Sequence, residues 1–82
     1  MSSFDISKQE ELAKWEEGKN SGDLIVGVYR YNNGAPKVGF NRYASNRDGE
    51  LIIIKSGRLS WEDLMYFESI LEEIKQTMEE VK

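Results

Sequence analysis

The chain has 82 residues, which is room for one small domain, and it contains neither cysteine nor histidine. These absences exclude disulfides, zinc sites built from Cys and His, and catalysis by an imidazole or a thiolate. The formal charge of −4 at pH 7 argues against a nucleic-acid partner, because such partners normally meet a basic surface. A core this small stabilises a fold only modestly, so we expect an oligomer.

The first segment, residues 1–18, is acidic and is predicted to form a short helix. Its apolar residues Leu12, Ala13 and Trp15 lie among Gln, Glu and Lys, and Ser7 with Glu10 fits a capping box. Residues 19–23 form a turn-rich connector. The segment has no signal-peptide pattern, and the chain has no apolar run of membrane-spanning length. The protein is therefore expected to be intracellular, cytoplasmic (nucleoid) or nuclear, without a membrane partner.

Three runs rich in β-branched and aromatic residues follow, and they predict an antiparallel meander of three to four strands over residues 24–55. The first two runs, 24–31 and 37–43, flank Asn33 and Gly34, a pair that suits a type I′ hairpin turn. The third run, 51–55, follows a turn at residues 46–49. A turn is a simpler interpretation of Asn46, Asp48 and Glu50 than a calcium loop, so we expect no metal and no cofactor.

Residues 60–81 predict one long C-terminal helix, with Ser60 as its N-cap and acidic residues in the first turn. Its apolar residues recur at alternating intervals of three and four, as in a helix-to-helix seam. The seam consists of Leu64, Phe67, Leu71, Ile74, Met78 and Val81. It predicts a homodimer or higher homo-oligomer; the alternative is an amphipathic helix that packs only on its own sheet. The whole chain is thus predicted to be one α+β domain.

Charge is segregated along the sequence. Residues 1–18 carry a net charge of −3 and residues 61–82 carry −5, whereas residues 19–60 carry +4. Cations alternate with aromatic residues in this basic part, and single-strand binding requires cations for phosphates beside rings for bases. The alternative is that the rings are core and the cations solvate strand edges. The candidate binding residues are Tyr29, Arg30, Tyr31, Lys37, Asn41, Arg42, Tyr43, Arg47, Lys55 and Arg58.

The hairpin register decides which of these residues share a face. With the turn centred on Asn33 and Gly34, residues whose numbers sum to 67 stand opposite one another. One face then carries Ile25, Tyr29, Tyr31, Val38, Phe40 and Arg42, and the other carries Leu24, Val26, Val28, Arg30, Lys37, Asn41 and Tyr43. The first has the larger apolar volume and is expected to cover the helix. The opposite choice stays open, as does a shift by one residue that would mix the two sets.

Residues 34–43, 46–50 and 57–63, with the helix that follows, resemble the positive-cofactor-four type of transcriptional coactivator. The resemblance covers residues 24–78. It implies a strand meander followed by a helix, dimerisation through the helices, and single-stranded DNA binding on the sheet side away from the helices. Small archaeal single-stranded DNA-binding proteins with a comparable plan are a second possible relation.

The resemblance also assigns roles by position. Arg30 and Lys37 match basic positions of the family's binding surface, and Val38 and Phe40 match inward-facing ones. Tyr43 and residues 46–49 match the corner where the family places a stacking tryptophan, for which this chain has Ala44. Asn41 stands where family members have a basic residue. Tyr43 and Arg47 would have to compensate for these departures.

These features together predict a sequence-tolerant binder of single-stranded nucleic acid, DNA rather than RNA by the resemblance alone. We expect it to act as a dimer in transcription or DNA maintenance. The alternative is a protein-interaction module that uses the C-terminal helix. An enzyme is not expected, because no nucleophile lies beside a recognisable base.

Overall fold

The computed structural model describes residues 8–81. Four strands form one antiparallel sheet in chain order, and a single helix follows them. The elements are β1 (Gln9–Glu16), β2 (Leu24–Tyr31), β3 (Lys37–Ser45), β4 (Leu51–Lys55) and α1 (Trp61–Val81). The predicted α+β class, meander and C-terminal helix are confirmed. Within residues 8–81 no helix is long and apolar enough to cross a membrane.

The predicted N-terminal helix is wrong over Gln9–Glu16, which form β1 and pair with β2; its Ser7 cap lies outside the described residues. The strand contains a bulge between Glu11 and Ala13, where the register shifts and Leu12 is the extra residue. The bulge lets Leu12 and Trp15 both pack against the core, although an odd separation puts two residues on opposite faces of a regular strand. The bulged strand therefore reproduces the i, i+3 spacing that suggested a helix.

The predicted register of the β2–β3 hairpin is wrong by one residue. Val28 faces Val38 and Tyr29 faces Lys37, so paired numbers sum to 66. Asn32 and Asn33, with φ of 51° and 61°, are the central residues of a turn closed by the hydrogen bond from Gly34 N to Tyr31 O, where Asn33 and Gly34 were predicted. That turn alone would give pairs that sum to 65, and one extra residue between it and β3 raises the sum to 66. Asparagine tolerates this left-handed conformation, and Pro36 has no N–H for the ladder, so β3 begins only at the next residue.

Because of this shift, the β2 residues of each predicted face lie on the opposite side of the sheet, whereas the β3 residues keep their predicted sides. The helix side of the central strands carries Leu24, Val26 and Val28 of β2 and their partners Arg42, Phe40 and Val38 of β3. The core consists of Leu24, Val26, Val28, Ile70 and Ile74. Phe40 adds an edge-to-face contact with Phe67, with ring centroids 5.3 Å apart. The opposite side of the sheet has no helix of the described chain on it and is called the open face below.

The N-terminus of α1 is tied to the sheet by a polar network. Ser60 is its N-cap, as predicted, because Asp63 N donates to Ser60 Oγ (3.1 Å) and Ser60 N donates to Asp63 Oδ2 (2.8 Å). Asp63 is buried and accepts a 2.6 Å ion-paired hydrogen bond from Arg42 Nη2. The same guanidinium donates to Ser56 Oγ and to the carbonyl oxygen of Gly22. One side chain of β3 thus fixes where the helix begins.

Much of the predicted helix-to-helix seam packs within the chain itself. Ile74 is 1% exposed in the core, and Phe67 and Met78 pack against that core. Leu71 and Val81 are half-buried, and Leu64 is exposed. The helix therefore turns most of its apolar stripe toward its own sheet, the alternative that the sequence left open. Dimerisation through α1 stays a prediction.

Candidate nucleic-acid interface

The open face is formed by alternate residues of the four strands. In the observed register, it carries Gln9, Glu11, Lys14, Glu16, Ile25, Gly27, Tyr29, Tyr31, Lys37, Gly39, Asn41, Tyr43, Ser45, Leu51, Ile53 and Lys55. Lys37, Asn41 and Tyr43 lie on this face, as predicted. Tyr29 and Tyr31 join them, although they were placed on the helix side. The binding-residue candidates with rings are therefore all on the open face.

Two opposed glycines form a floor at the centre of this face. Gly27 of β2 pairs directly with Gly39 of β3, so the sheet has no side chain at either position. The Tyr29 ring occupies the space: a methyl group at Gly27 would overlap the ring, and one at Gly39 would lie 3.0 Å from Tyr29 Cε2. The Tyr29 hydroxyl accepts a 3.3 Å hydrogen bond from Asn41 Nδ2. The ring thus lies along the sheet rather than projecting from it.

The Tyr29 ring borders a concavity of about 480 Å³ near the β2–β3 hairpin. Tyr31, Lys37, Asn41 and Lys55 also line it. These five residues are half of the predicted binding set, and the fold brings them together from three strands. A cleft of this size, with rings, cations and one amide, has the chemical groups that bind a nucleotide base and its phosphate.

The predicted arginines of β2 and β3 are engaged elsewhere. Arg30 borders the concavity, but its Nη2 donates to Glu10 Oε1 at 2.8 Å. Its register partner is Glu10, on the side of the sheet that carries α1, so its predicted place on the open side is wrong. Arg42 lies on the helix side and is held by Asp63. The cationic groups directed to the open face at the concavity are therefore those of Lys37 and Lys55.

Tyr43 lies on the open face beyond the concavity and connects two strands there. Its hydroxyl donates to Glu16 Oε2, so the connection runs from β3 to β1. The residue of β2 between them on this face is Ile25, which is 1% exposed. The hydrogen bond lowers the pKa of Glu16 and raises the pKa of Tyr43. Tyr43 is therefore part of a covered end of the open face.

The acidic residues of β1 make the charge of the open face asymmetric. Glu11 stands directly opposite Tyr29 in the β1–β2 ladder, and Glu16 stands opposite Ile25. Burial raises the pKa of Tyr29, and the charge of Glu11 raises it further. Lys14 lies on the same face of β1, but its Nζ is 3.8 Å from Glu16 Oε2, so this edge keeps a net negative charge. A polyanion is repelled there and attracted at β3 and β4, where Lys37 and Lys55 lie.

Arg47 and Arg58 lie apart from the concavity. Arg47 is exposed in the β3–β4 turn, at the far end of the sheet from the β2–β3 hairpin. Arg58 is exposed in the connection to α1, and its carbonyl oxygen accepts hydrogen bonds from Arg42 and Ser56. The predicted turn at residues 46–49 is confirmed, because Asn46 Oδ1 accepts from the backbone N–H groups of Asp48 and Glu50. Among residues 8–81 no carboxylates cluster as metal ligands would.

Neither the glycine floor nor the acidic border on β1 was among the predicted features of the site. Glycine inside a strand is a signal of close approach, and two of them at Gly27 and Gly39 could have been noticed. The predicted register paired Gly27 with Phe40, which hid their opposition. Glu11 and Glu16 were missed because their segment was predicted to be helical.

The chain was compared with protein-family models, with curated proteins and with solved structures, and none of the three comparisons found a match.

Proposed function

We propose that the protein binds single-stranded nucleic acid, DNA rather than RNA, through the concavity of its open face. The observation that carries the proposal is the Tyr29 ring, which lies on the Gly27–Gly39 floor with Lys37 and Lys55 beside the same concavity. A ring held flat offers a stacking surface for any base, and lysines attract phosphate without reading sequence. Binding is therefore expected to be tolerant of sequence.

The acidic parts of the molecule limit where the strand can bind. Glu11 and Glu16 border the open face on β1, and α1 on the other side carries seven acids against the single described base Lys75. Phosphates are therefore directed along β3 and β4. The net negative charge of the chain is compatible with binding because the opposing charges occupy different surfaces.

The preference for DNA over RNA follows from the resemblance to the positive-cofactor-four coactivators. That resemblance also favours a dimer that acts in transcription or DNA maintenance. The concavity itself contains groups that suit either nucleic acid.

Fluorescence anisotropy with a labelled oligonucleotide tests the proposal. The single strand should bind at low salt, bind more weakly as salt rises, and bind more tightly than its duplex. An RNA oligonucleotide of the same sequence tests the DNA preference. If no strand binds at low salt, the proposal is wrong.

Removing the two lysines of the concavity tests whether they contact the phosphates of the bound strand. A Lys37→Gln, Lys55→Gln double variant should reduce the slope of log affinity against log salt by about 1.4, because each phosphate contact on a single strand contributes about 0.7. Lys75→Gln is the matched control, since Lys75 is an exposed cation on α1 with only a 3.9 Å contact to Glu72. A slope reduction of about 0.7 in Lys75→Gln, half that of the double variant, would mean that general charge, and not the concavity, governs binding.

A protein-interaction module is the second candidate function. The first turns of α1 expose Trp61 (70%), Leu64 and Met65 (48% each), an unusual density of apolar surface at one helix end. A partner protein that covers these residues, together with absence of oligonucleotide binding, would favour this function over the first.

A further inference from the structure

The outer edge of β4 is the most exposed apolar segment in the part of the chain that the structure describes. Leu51, Ile52, Ile53 and Ile54 are between 40% and 55% exposed. The strand order ends at β4, so no described strand pairs with its outer side. Sheets normally protect such an edge with charges, proline or a bulge, because an open apolar edge pairs with another chain. Here Lys55 is the single charged residue of the strand.

The direction of the backbone groups on β4 follows from its pairing with β3. Ser56 N donates to Phe40 O at 3.1 Å. The N–H and C=O groups of Ile54 and Ile52, which lie two and four residues earlier, therefore also point toward β3. By the same alternation, the N–H and C=O groups of Leu51, Ile53 and Lys55 point away from the sheet. These three residues present a regular row of donors and acceptors on the outer edge.

We propose that this edge pairs with the same edge of a second copy of the chain, antiparallel about a twofold axis at Ile53. Ile53 then faces Ile53 of the second copy, and Leu51 faces Lys55 of the second copy. All three residues with outward groups meet residues that also have outward groups, so every donor and acceptor of the row is used. The two four-stranded sheets become one continuous sheet.

Charge selects the antiparallel arrangement over the parallel one. Parallel in-register pairing would put the two Lys55 side chains next to each other, which is unfavourable. Antiparallel pairing separates them to the two ends of the ladder and brings each Lys55 to the end where the second copy has Glu50. The side chains also match, because Ile52 meets the second copy's Ile54 on the helix side. The edge is thus complementary to itself.

The packing of α1 favours this surface over a helix-to-helix interface. Ile74, Phe67 and Met78 of the apolar stripe pack within the chain and are not available to a partner. Among residues 8–81, eight large apolar side chains are exposed, and four of them, Leu51 to Ile54, belong to β4. Half of the exposed large apolar side chains are therefore on the edge that the second copy would cover.

Light scattering after size-exclusion chromatography tests the proposal on the full chain. The wild-type protein should have the mass of two chains at micromolar concentration, and Ile53→Lys should have the mass of one, because an edge lysine opposes pairing. Leu64→Lys is the matched control, because Leu64 is an apolar residue of α1 with an exposure of 48% against 55% for Ile53, and this variant should remain a dimer. Far-ultraviolet circular dichroism should show that both variants are folded. A monomeric wild type, or a dimer that only Leu64→Lys dissociates, would overturn the proposal.

A cysteine cross-link tests the register separately. The chain has no cysteine, so Ile53→Cys introduces a single thiol at the proposed axis. Directly paired residues have Cα atoms about 5.5 Å apart, which is within the range for a disulfide. Mild oxidation should therefore convert most of Ile53→Cys into a covalent dimer and leave Ser69→Cys, at an exposed site on α1, largely uncross-linked. Equal cross-linking of the two would contradict the register. Because neither experiment involves nucleic acid, their results are independent of the proposed function.

Discussion

Tyr29 is the residue on which the proposed binding depends most. Its ring occupies the space left by Gly27 and Gly39, and its hydroxyl is held by Asn41 at 3.3 Å. A ring fixed in this way loses little conformational freedom when a base stacks on it, so little of the stacking free energy is offset by an entropy cost. The hydroxyl orients the ring and is not needed for the stacking itself.

Two substitutions at Tyr29 separate the ring from the hydroxyl. Tyr29→Ala should weaken oligonucleotide binding by about tenfold, because stacking of one base contributes about 1 to 3 kcal/mol. Tyr29→Phe keeps the ring and should change affinity by less than about threefold. Fluorescence anisotropy at one salt concentration measures both.

The salt dependence is the control for this prediction. Neither substitution removes a cation, so the slope of log affinity against log salt should stay that of the wild type. Equal affinities for Tyr29→Ala and the wild type would mean that no base stacks on this ring.

At the residue scale, the sequence pattern predicts which side chains suit nucleic-acid binding but not toward which side of the sheet each of them points. The composition of residues 24–55 identified Tyr29, Lys37 and Asn41 as candidates, and all three meet at the concavity. It could not exclude Arg42, because only the fold brings Asp63, which is 21 positions away, to that guanidinium. A local pattern contains no information about so distant a partner.

At the scale of elements, the contact of Arg42 with Asp63 holds α1 on the sheet. The hydrogen bond from Arg42 is the main reason that the pKa of Asp63 lies below its ordinary value, and burial opposes it. A carboxyl group with a lowered pKa in the folded state favours folding while it is ionised. Its contribution is therefore complete above about pH 5 and is lost as the pH falls through the lowered pKa.

Asp63→Asn should accordingly destabilise the fold at neutral pH more than at acidic pH. We expect the free energy of unfolding to fall by about 2 kcal/mol at neutral pH, since one partner of a buried ion pair loses its charge. The difference from wild type should shrink as the pH falls through the lowered pKa of Asp63, because the wild-type carboxyl then also loses its charge. Urea denaturation at the two pH values measures both differences.

Glu72→Gln is the control, because Glu72 is an exposed acid that forms a 3.9 Å pair with Lys75, which is also exposed. It should leave stability nearly unchanged at both pH values. A constant difference between Asp63→Asn and wild type across the pH range would contradict the role given to this ion pair.

A secondary-structure element is predicted correctly from sequence where all of its signals are local. Helix α1 was predicted with its cap because Ser60, the early acids and the apolar stripe are all local signals. Strand β1 was not, since its bulge gives Leu12 and Trp15 the spacing of a helix. The hairpin register failed because two asparagines and a glycine follow each other, and each pair of neighbours can form a tight turn.

At the scale of the whole molecule, charge is divided by surface and not only by segment. The sequence assigns an excess of positive charge to residues 19–60, but Arg30 and Arg42 are paired with Glu10 and Asp63. The open face keeps Lys37 and Lys55 and gains two acids and one base, Lys14, from β1. Its attraction for phosphate is therefore local to the concavity and weaker than segment charge suggests.

The proposed edge pairing gives this local site a second copy on the same surface. A twofold axis perpendicular to the sheet leaves both concavities on one side of the joined sheet, with a Lys55 at each end of the β4 ladder. Two linked sites bind a long strand more tightly than either does alone. Dimerisation would thus compensate for the small number of cations in each chain.

Mapping of the bound strand by nuclear magnetic resonance tests the central claim most directly. A single-stranded oligonucleotide titrated into isotope-labelled protein should shift backbone amide signals around Tyr29, Tyr31, Lys37, Asn41 and Lys55 and leave those of α1 unchanged. Shifts confined to α1, or the absence of any shift at low salt, would contradict the claim that this concavity binds single-stranded nucleic acid.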